Sequence, residues 1–370
     1  MRRRLFPYRW IAIGTVGLIG GIGGTLLVAR ASAPWAARLR TAIDEKIRVV
    51  KILRDPTVAL LTSENRTNIL ILGKGGADHE APDLTDSMMV VSLSHGNKNV
   101  SMISIPRDIW IDSMKAKINS AYYYGEQKVP GGGVILARDA VYQVTNLPIH
   151  YTLLVDFQGF KDVVDLLGGV DIEVERSFTD EKYPIENEER RTESGEPKAE
   201  NNELRTPRPE LGTKAMNDEL IYETVRFEKG LQHMNGETAL KFARSRNSTD
   251  LEEGTDFARA KRQQKILIAI AQKLRKKETI TNLSILRELR ALFGRYVLGD
   301  LGDEALLALG RISVDIDVSD IQHVGLDATN VDDLPLLVNP PVKKYGQWVL
   351  EPRTGKWEEV HGYIEKQLEQ

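Results

Sequence analysis

The pattern of apolar and polar positions divides the chain into an uncharged opening stretch and an alternating body. Residues 10–29 read WIAIGTVGLIGGIGGTLLVA, twenty positions without a charge. At about 1.5 Å per helical residue this run matches a hydrocarbon core about 30 Å thick, so a transmembrane helix is expected. Arg2, Arg3, Arg4 and Arg9 precede it, and Arg30, Arg38 and Arg40 follow it. Cationic flanks favour the cytoplasmic side, which makes residues 1–9 a cytoplasmic tail and puts the rest outside the cytoplasm. A cleaved signal peptide is the competing reading, but its apolar region usually spans roughly 7–15 residues. Residues 30–65 form a juxtamembrane connector, with apolar residues at helical spacing between Leu39 and Leu61 and a break at Pro56.

Beyond residue 66 short apolar runs take over. Asn68 to Gly73 is short enough for a buried strand. Met88–Leu93 and Val100–Ile105 flank the turn-rich Ser94 to Lys98 and read as a hairpin. Ala137–Leu147 predicts a helix, Tyr151–Val155 a strand, and Phe157–Leu167 a helix stopped by Gly168-Gly169. Val170 to Val174 alternates as a half-buried strand does. Asp256 to Lys277 predicts one long helix. Strands interleaved with helices give an α/β class, an αβα sandwich with a mixed β-sheet. The expected domain is 66–278, followed by a C-terminal extension, 279–370. Residues 180–218 are expected to be a charged insertion, since sixteen of the thirty-one residues in 180–210 are charged.

Composition removes several chemistries. The chain has 370 residues and no cysteine, so disulfides, thiolate zinc sites and cysteine nucleophiles are excluded. A net charge of −3 argues against a nucleic-acid partner. Six histidines are scattered without an HExxH pair, and neither GxSxG nor a GxxxxGK[ST] loop occurs. Gly73-Lys-Gly-Gly76, following a strand, is either a phosphate cradle or a flexible loop.

Arginines carry more information. Arg244 and Arg246 share a face if Ala239 to Arg246 is extended, and diverge by about 200° if it is helical. Two guanidinium groups on one face need an anion or carboxylates between them, and phosphate oxygens fit that need. Arg259, Arg262 and Gln263 lie at i, i+3 and i+4 near a helix start, where free N–H groups favour anions. Ion pairing with Glu252 and Glu253 is the structural alternative. Asp86, just ahead of a strand, could be a salt-bridge partner or a magnesium ligand.

The ordered series Leu84-Thr-Asp-Ser87, Ser104-Ile-Pro-Arg-Asp108, Lys117-Ile-Asn-Ser-Ala-Tyr122, Phe157-Gln-Gly-Phe160 and Asp165-Leu-Leu-Gly-Gly-Val170 continues through Gly230 to Leu240, Ala243-Arg-Ser-Arg246 and Asp256-Phe-Ala-Arg259. Together these motifs resemble the LytR-CpsA-Psr (LCP) family of bacterial cell-envelope proteins, from about Asn68 to Lys277. The resemblance implies a membrane-anchored phosphotransferase with an extracytoplasmic catalytic domain. It would move a glycopolymer from a polyprenyl-pyrophosphate carrier to a cell-wall glycan such as peptidoglycan. By the same resemblance Asp86 would hold Mg²⁺, Arg107, Arg244 and Arg246 would hold the pyrophosphate, and Asp256 would orient the arginines. Lys117, Arg259, Arg262 and Gln263 would bind substrate, and an apolar tunnel between sheet and helices would house the lipid.

Two positions depart from the family pattern. Leu84 stands where the family often has arginine. A second metal carboxylate is expected in the loop after the first strand, where Asp78 is the candidate, Asp83 its rival, and Lys74 a charge that could replace metal. Two other functions stay open: a hydrolase of the same fold, and a non-catalytic envelope scaffold that binds lipid-linked glycan. The oligomeric state stays open as well.

Overall fold

The computed structural model describes residues 44, 47–76, 82–185, 222–250, 252–280, 282–326, 330–331 and 334–369. The apolar stretch 10–29, Asp78 and residues 186–218 of the charged insertion lie outside these. Among the described residues, no helix is long and apolar enough to cross a membrane.

A six-stranded mixed sheet organises the fold. β1 (Arg66–Lys74) pairs antiparallel with β2 (Thr85–Ser94), and β2 with β3 (Val100–Ser104), forming the hairpin the apolar runs predict. β4 (Tyr151–Asp156) lies parallel to β1 on its other side. Alternation along β1 sends Leu70 and Leu72 to one face and Ile69 and Ile71 to the other. The first face packs on helices α1 (Ala121–Lys128) and α2 (Gly132–Thr145), with Tyr122, Ala140, Val141 and Val144 buried against it. Helix α3 (Phe157–Leu166) follows β4 directly, its first turn capped by the Asp156 carboxylate, which accepts from Gly159 N at 2.8 Å.

A second core lies beside the sheet. β5 (Val170–Val174) occupies the span its alternation predicts, and β6 (Phe178–Pro184) follows it. β7 (Tyr222–Phe227) pairs with β6, and β8 (Gly230–Met234) with β5. Helices α4 (Gly236–Arg244) and α5 (Asp256–Arg275) close the cluster over Phe178, Phe227 and Phe242, whose ring centroids are 5.1–6.0 Å apart. Gly236 is required where α4 meets α3, because a Cβ there would sit 2.4 Å from the Lys161 carbonyl oxygen. The Asp165 carboxylate accepts from Gly236 N at 2.7 Å and fixes the same junction.

Residues 180–184, expected within the charged insertion, belong to strand β6 instead. The reason is alternation inside a charged run: Phe178, Asp180 and Tyr183 turn inward while Glu181 and Lys182 stay exposed.

Beyond 279 the chain returns to the sheet. After helix α6 (Leu283–Tyr296), β9 (Val297–Gly299) pairs antiparallel with β4 at one edge. Helix α7 (Asp303–Asp315) covers the second face, burying Ala305, Ala308 and Ile312 beside Ile69 and Leu93. β10 (Gln322–Gly325) then pairs parallel with β3 at the other edge. Helix α8 (Glu358–Leu368) adds Val360 and Ile364 to the core under α2.

Candidate active site

A cleft of about 810 Å³ opens where β2 begins, β3 ends and α5 starts. Its volume falls within the range of ligand sites. Asp86 enters it through a β-bulge: Gly73 pairs with Ser87 and Lys74 with Thr85, so Asp86 is the extra residue. Bulges re-aim side chains in this way. Pro106 follows the end of β3, and the next residue, Arg107, turns back on Asp86 with Nη1 3.0 Å from Oδ1. Asn119 Nδ2 donates to the same oxygen at 3.1 Å. Asp108 takes Lys117 Nζ at 2.5 Å and lies 3.5 Å from Arg107 Nε.

Helix α5 supplies the opposite wall. Thr255 caps it by accepting from Ala258 N at 3.1 Å, which leaves Asp256 in the first turn beside the cleft. The Asp256 carboxylate lies 2.9 Å from Arg259 Nη2, and one turn further Gln263 Nε2 donates to Ser87 Oγ at 2.8 Å. Arg259 and Gln263 thus both reach the cleft, as their i, i+4 spacing predicts.

The charges are strongly coupled. Burial pushes the Asp86 carboxyl up, but Arg107, the Asn119 bond and Arg259 outweigh it and hold it below the usual carboxylate value. Burial pulls Arg107 down, and Asp86 and Asp108 more than offset that. Arg259, with a side chain 11% exposed, is lowered chiefly by burial, which together with the nearby Arg107 and Arg246 outweighs the help of Asp256 and Asp86. Arg107 and Arg259 thus converge on Asp86, while Glu252, Glu175 and Glu253, which line the same cleft, are taken up by Arg176, by Lys261 and Lys265, and by Arg262.

Arg244 and Arg246 stand where α4 ends, in neither of the regular conformations weighed from sequence. Arg244 is the last helical residue; its guanidinium lies 4.1 Å from the Phe157 ring centroid and donates to Tyr183 Oη at 3.1 Å. Arg246 follows the cap residue Ser245, and its backbone is held by Asp180. Arg262 departs from the expected binding role. Its side chain turns into the second core, pairs with Glu253 at 2.6 Å and stacks over Phe178 at 4.7 Å, so the ion-pair alternative describes it. Asp83 pairs with Lys74 at 3.1 Å.

Three participants were not singled out from sequence: Asn119 and Ser87 sat inside quoted motifs, whereas Asp180 was hidden in the charged run. Asp180, 1% exposed, accepts from Ser245 Oγ at 2.6 Å, Arg246 N at 3.0 Å, Asn247 N at 3.1 Å and Lys182 N at 2.9 Å. Burial pushes this carboxyl up, and those bonds hold it below the usual value. A depressed folded pKa stabilises the fold above the unfolded value of about 3.9, and the contribution is lost as pH falls through the folded one. Asp180→Asn is therefore expected to lower the urea midpoint at neutral pH, with the difference from wild type shrinking below about pH 4. A difference independent of pH would contradict this.

Residues 36–339 match the LytR_cpsA_psr family. The chain belongs to this family. Among curated relatives, the polyisoprenyl-teichoic acid–peptidoglycan teichoic acid transferase TagV of Bacillus subtilis is 31% identical over 210 residues, 55% of this chain and 42% of the relative. A TagU transferase of Bacillus anthracis is 28% identical over 212 residues, 56% of this chain and 52% of the relative. The chain thus spans about half the length of these relatives. The crystal structure of B. subtilis TagV matches with a TM-score of 0.54 at 25% identity, covering 83% of this chain and 99% of that one. TagT bound to LIIa-WTA matches with a TM-score of 0.52 at 19% identity, covering 85% and 96%, a likeness of fold alone. Within the LytR_cpsA_psr match fall every cleft residue discussed so far and both edge strands, β9 and β10. The remaining cleft wall, Trp348 and Leu350, lies beyond it.

Proposed function

We propose that this chain is a membrane-anchored, magnesium-dependent phosphotransferase that moves a glycopolymer from a polyprenyl-pyrophosphate carrier to a hydroxyl of a cell-wall glycan. The observation that carries the reading is the convergence of two guanidinium groups, Arg107 and Arg259, on Asp86 in a cleft beside a helix start. Buried guanidinium groups crowd one another at a cost unless an anion joins them, and a pyrophosphate brings concentrated negative charge. The names of the TagV and TagU relatives supply the donor and acceptor classes. The uncharged stretch 10–29 supplies the anchor, with the N-terminus cytoplasmic.

The acceptor oxygen attacks the polymer-side phosphorus and forms a new P–O bond. The bridging P–O bond breaks, and polyprenyl phosphate leaves with the electron pair. The acceptor proton passes to solvent or to a carboxylate of the cleft. Arg107 and Arg259 offset the charge that repels the incoming hydroxyl and the charge that develops on the leaving phosphate. Asp256 holds the Arg259 fork in place, and Lys117 holds Asp108 beside Arg107.

The site fits Mg²⁺. Asp86 offers a deprotonated hard-oxygen donor at the cleft, and both of its hydrogen-bond donors among the described residues, Arg107 and Asn119, bond Oδ1. Magnesium commonly takes one or two protein carboxylates and completes its shell with water and phosphate oxygens. When bound, the ion would neutralise phosphate oxygens as a Lewis acid. Chelation with EDTA followed by dialysis is expected to abolish transfer from a soluble polyprenyl-pyrophosphate glycan, and added Mg²⁺ to restore it. Unchanged turnover would remove the metal role of Asp86. Product analysis tests the reaction itself: a glycan–phosphate–glycan product formed only with acceptor supports transfer. Equal release of polymer without acceptor would make the protein a hydrolase, and binding without turnover a scaffold.

A further inference from the structure

The wall of the cleft beyond the family match is built by a C-terminal strap. Asp108 C=O accepts from Leu350 N at 2.9 Å, and Leu350 C=O accepts from Trp110 N at 2.8 Å, so residues 349–351 run beside the segment that carries Arg107. Val349 is fully buried, and its carbonyl accepts from Asn339 Nδ2 at 2.7 Å. Tyr345 stacks on Trp110 at 4.6 Å between centroids, and its hydroxyl donates to Glu351 at 2.6 Å. Four hydrogen bonds and one ring contact thus fix a strap whose large central side chain is left in solvent. Trp348 is 46% exposed and lines the cleft, with Phe257, 47% exposed, from the first turn of α5.

Resting on the transferase reading above, we propose that Trp348 is the platform on which a pyranose ring of the acceptor glycan stacks, with the strap 339–352 setting acceptor preference. The face of an aromatic ring is negative and attracts the weakly positive C–H hydrogens that line one face of a pyranose. Carboxylates of Asp108, Glu175 and Glu252 line the same cleft. Each is ion-paired, Asp108 with Lys117, Glu175 with Lys261 and Lys265, and Glu252 with Arg176, so their oxygens offer acceptors to sugar hydroxyls at a charge-balanced wall, which suits an uncharged or N-acetylated sugar. An isoprenoid tail is disfavoured because these aromatic faces stand among charged groups in an open cleft, whereas a lipid chain needs continuous apolar cover.

Calorimetric titration of the detergent-solubilised full chain tests this with two probes, an N-acetylglucosamine tetrasaccharide and farnesyl pyrophosphate. Trp348→Ala is expected to weaken the tetrasaccharide about tenfold, as loss of a tryptophan anchor typically does. Farnesyl pyrophosphate affinity is expected to stay unchanged, and Trp348→Phe to recover part of the sugar affinity. Because the Trp348 ring is solvent-facing, both variants should keep the wild-type melting temperature. Tetrasaccharide binding that is absent from wild type, or undiminished in Trp348→Ala, overturns the platform. An equal loss of farnesyl pyrophosphate also overturns it and gives the wall to the lipid. Wild-type binding of tetrasaccharide without farnesyl pyrophosphate would instead sink the transferase reading and leave the sugar platform standing.

Discussion

Arg262→Ala is expected to destabilise the fold by about 3 kcal/mol, the low end of the range for breaking a buried pair. The side chain is 4% exposed and uses its whole fork. Nε donates to the Phe242 carbonyl at 3.1 Å, Nη1 to the Glu253 carbonyl at 3.1 Å and carboxylate at 2.6 Å, and Nη2 to the Ser245 carbonyl. Alanine would leave the carbonyls at the end of α4 without donors and Glu253 without its cation, while removing the plate that covers Phe178. Glu253 keeps some solvent, which is why the low end of the range applies. Arg262→Lys retains the ion pair but loses the planar fork, so an intermediate loss is expected. Urea unfolding of the three proteins measures this; a loss under about 1 kcal/mol for alanine would mean that water replaces the fork. The consequence reaches the site, because Arg262 ties the end of α4 to the start of α5. Arg246 lies just past the first and Arg259 in the second.

Much of this arrangement is legible in the sequence, and the remainder is not for identifiable reasons. Strands such as Val170–Val174 and helices such as α3 announce themselves because one face of each is buried and the other is not. Arg259 and Gln263 reach the cleft because helical spacing decides which side chains share a face. The same rule placed Arg262 with them. What moved it was three backbone carbonyls and Glu253, partners with no side-chain signature in the pattern. Asp180 was concealed by its charged neighbours, although its inward alternation with Phe178 was readable. The bulge that re-aims Asp86 depends on pairing register, which one strand alone does not specify. β9 and β10 have three and four residues, too few for a periodic signal, and the strap meets Asp108 through backbone atoms some 240 residues away in sequence.

Arg107→Ala is expected to lower kcat/KM for a soluble polyprenyl-pyrophosphate glycan by about 10²–10³-fold, the usual cost of deleting one preorganised donor to developing charge. The geometry makes Arg107 central. It lies 3.0 Å from Asp86 and 3.5 Å from Asp108, and its field reaches Asp256 and Arg259. Its Nε is buried without a hydrogen bond among the described residues, so the guanidinium is held by charge more than by satisfied donors. A phosphate oxygen arriving in the cleft would meet a cation already placed, with little reorganisation left to the reaction step. Arg107→Lys restores the charge without the fork, so a smaller loss is expected, mainly in kcat. Arg107 and Asp86 are in contact, so their alanine variants should combine with less than additive losses, a coupling of about 0.5–3 kcal/mol. Full additivity would mean that the two side chains act at separate steps. An Arg107→Ala enzyme that turns over at the wild-type rate would move the phosphate contacts away from the loop after β3, toward Arg244 at the end of α4.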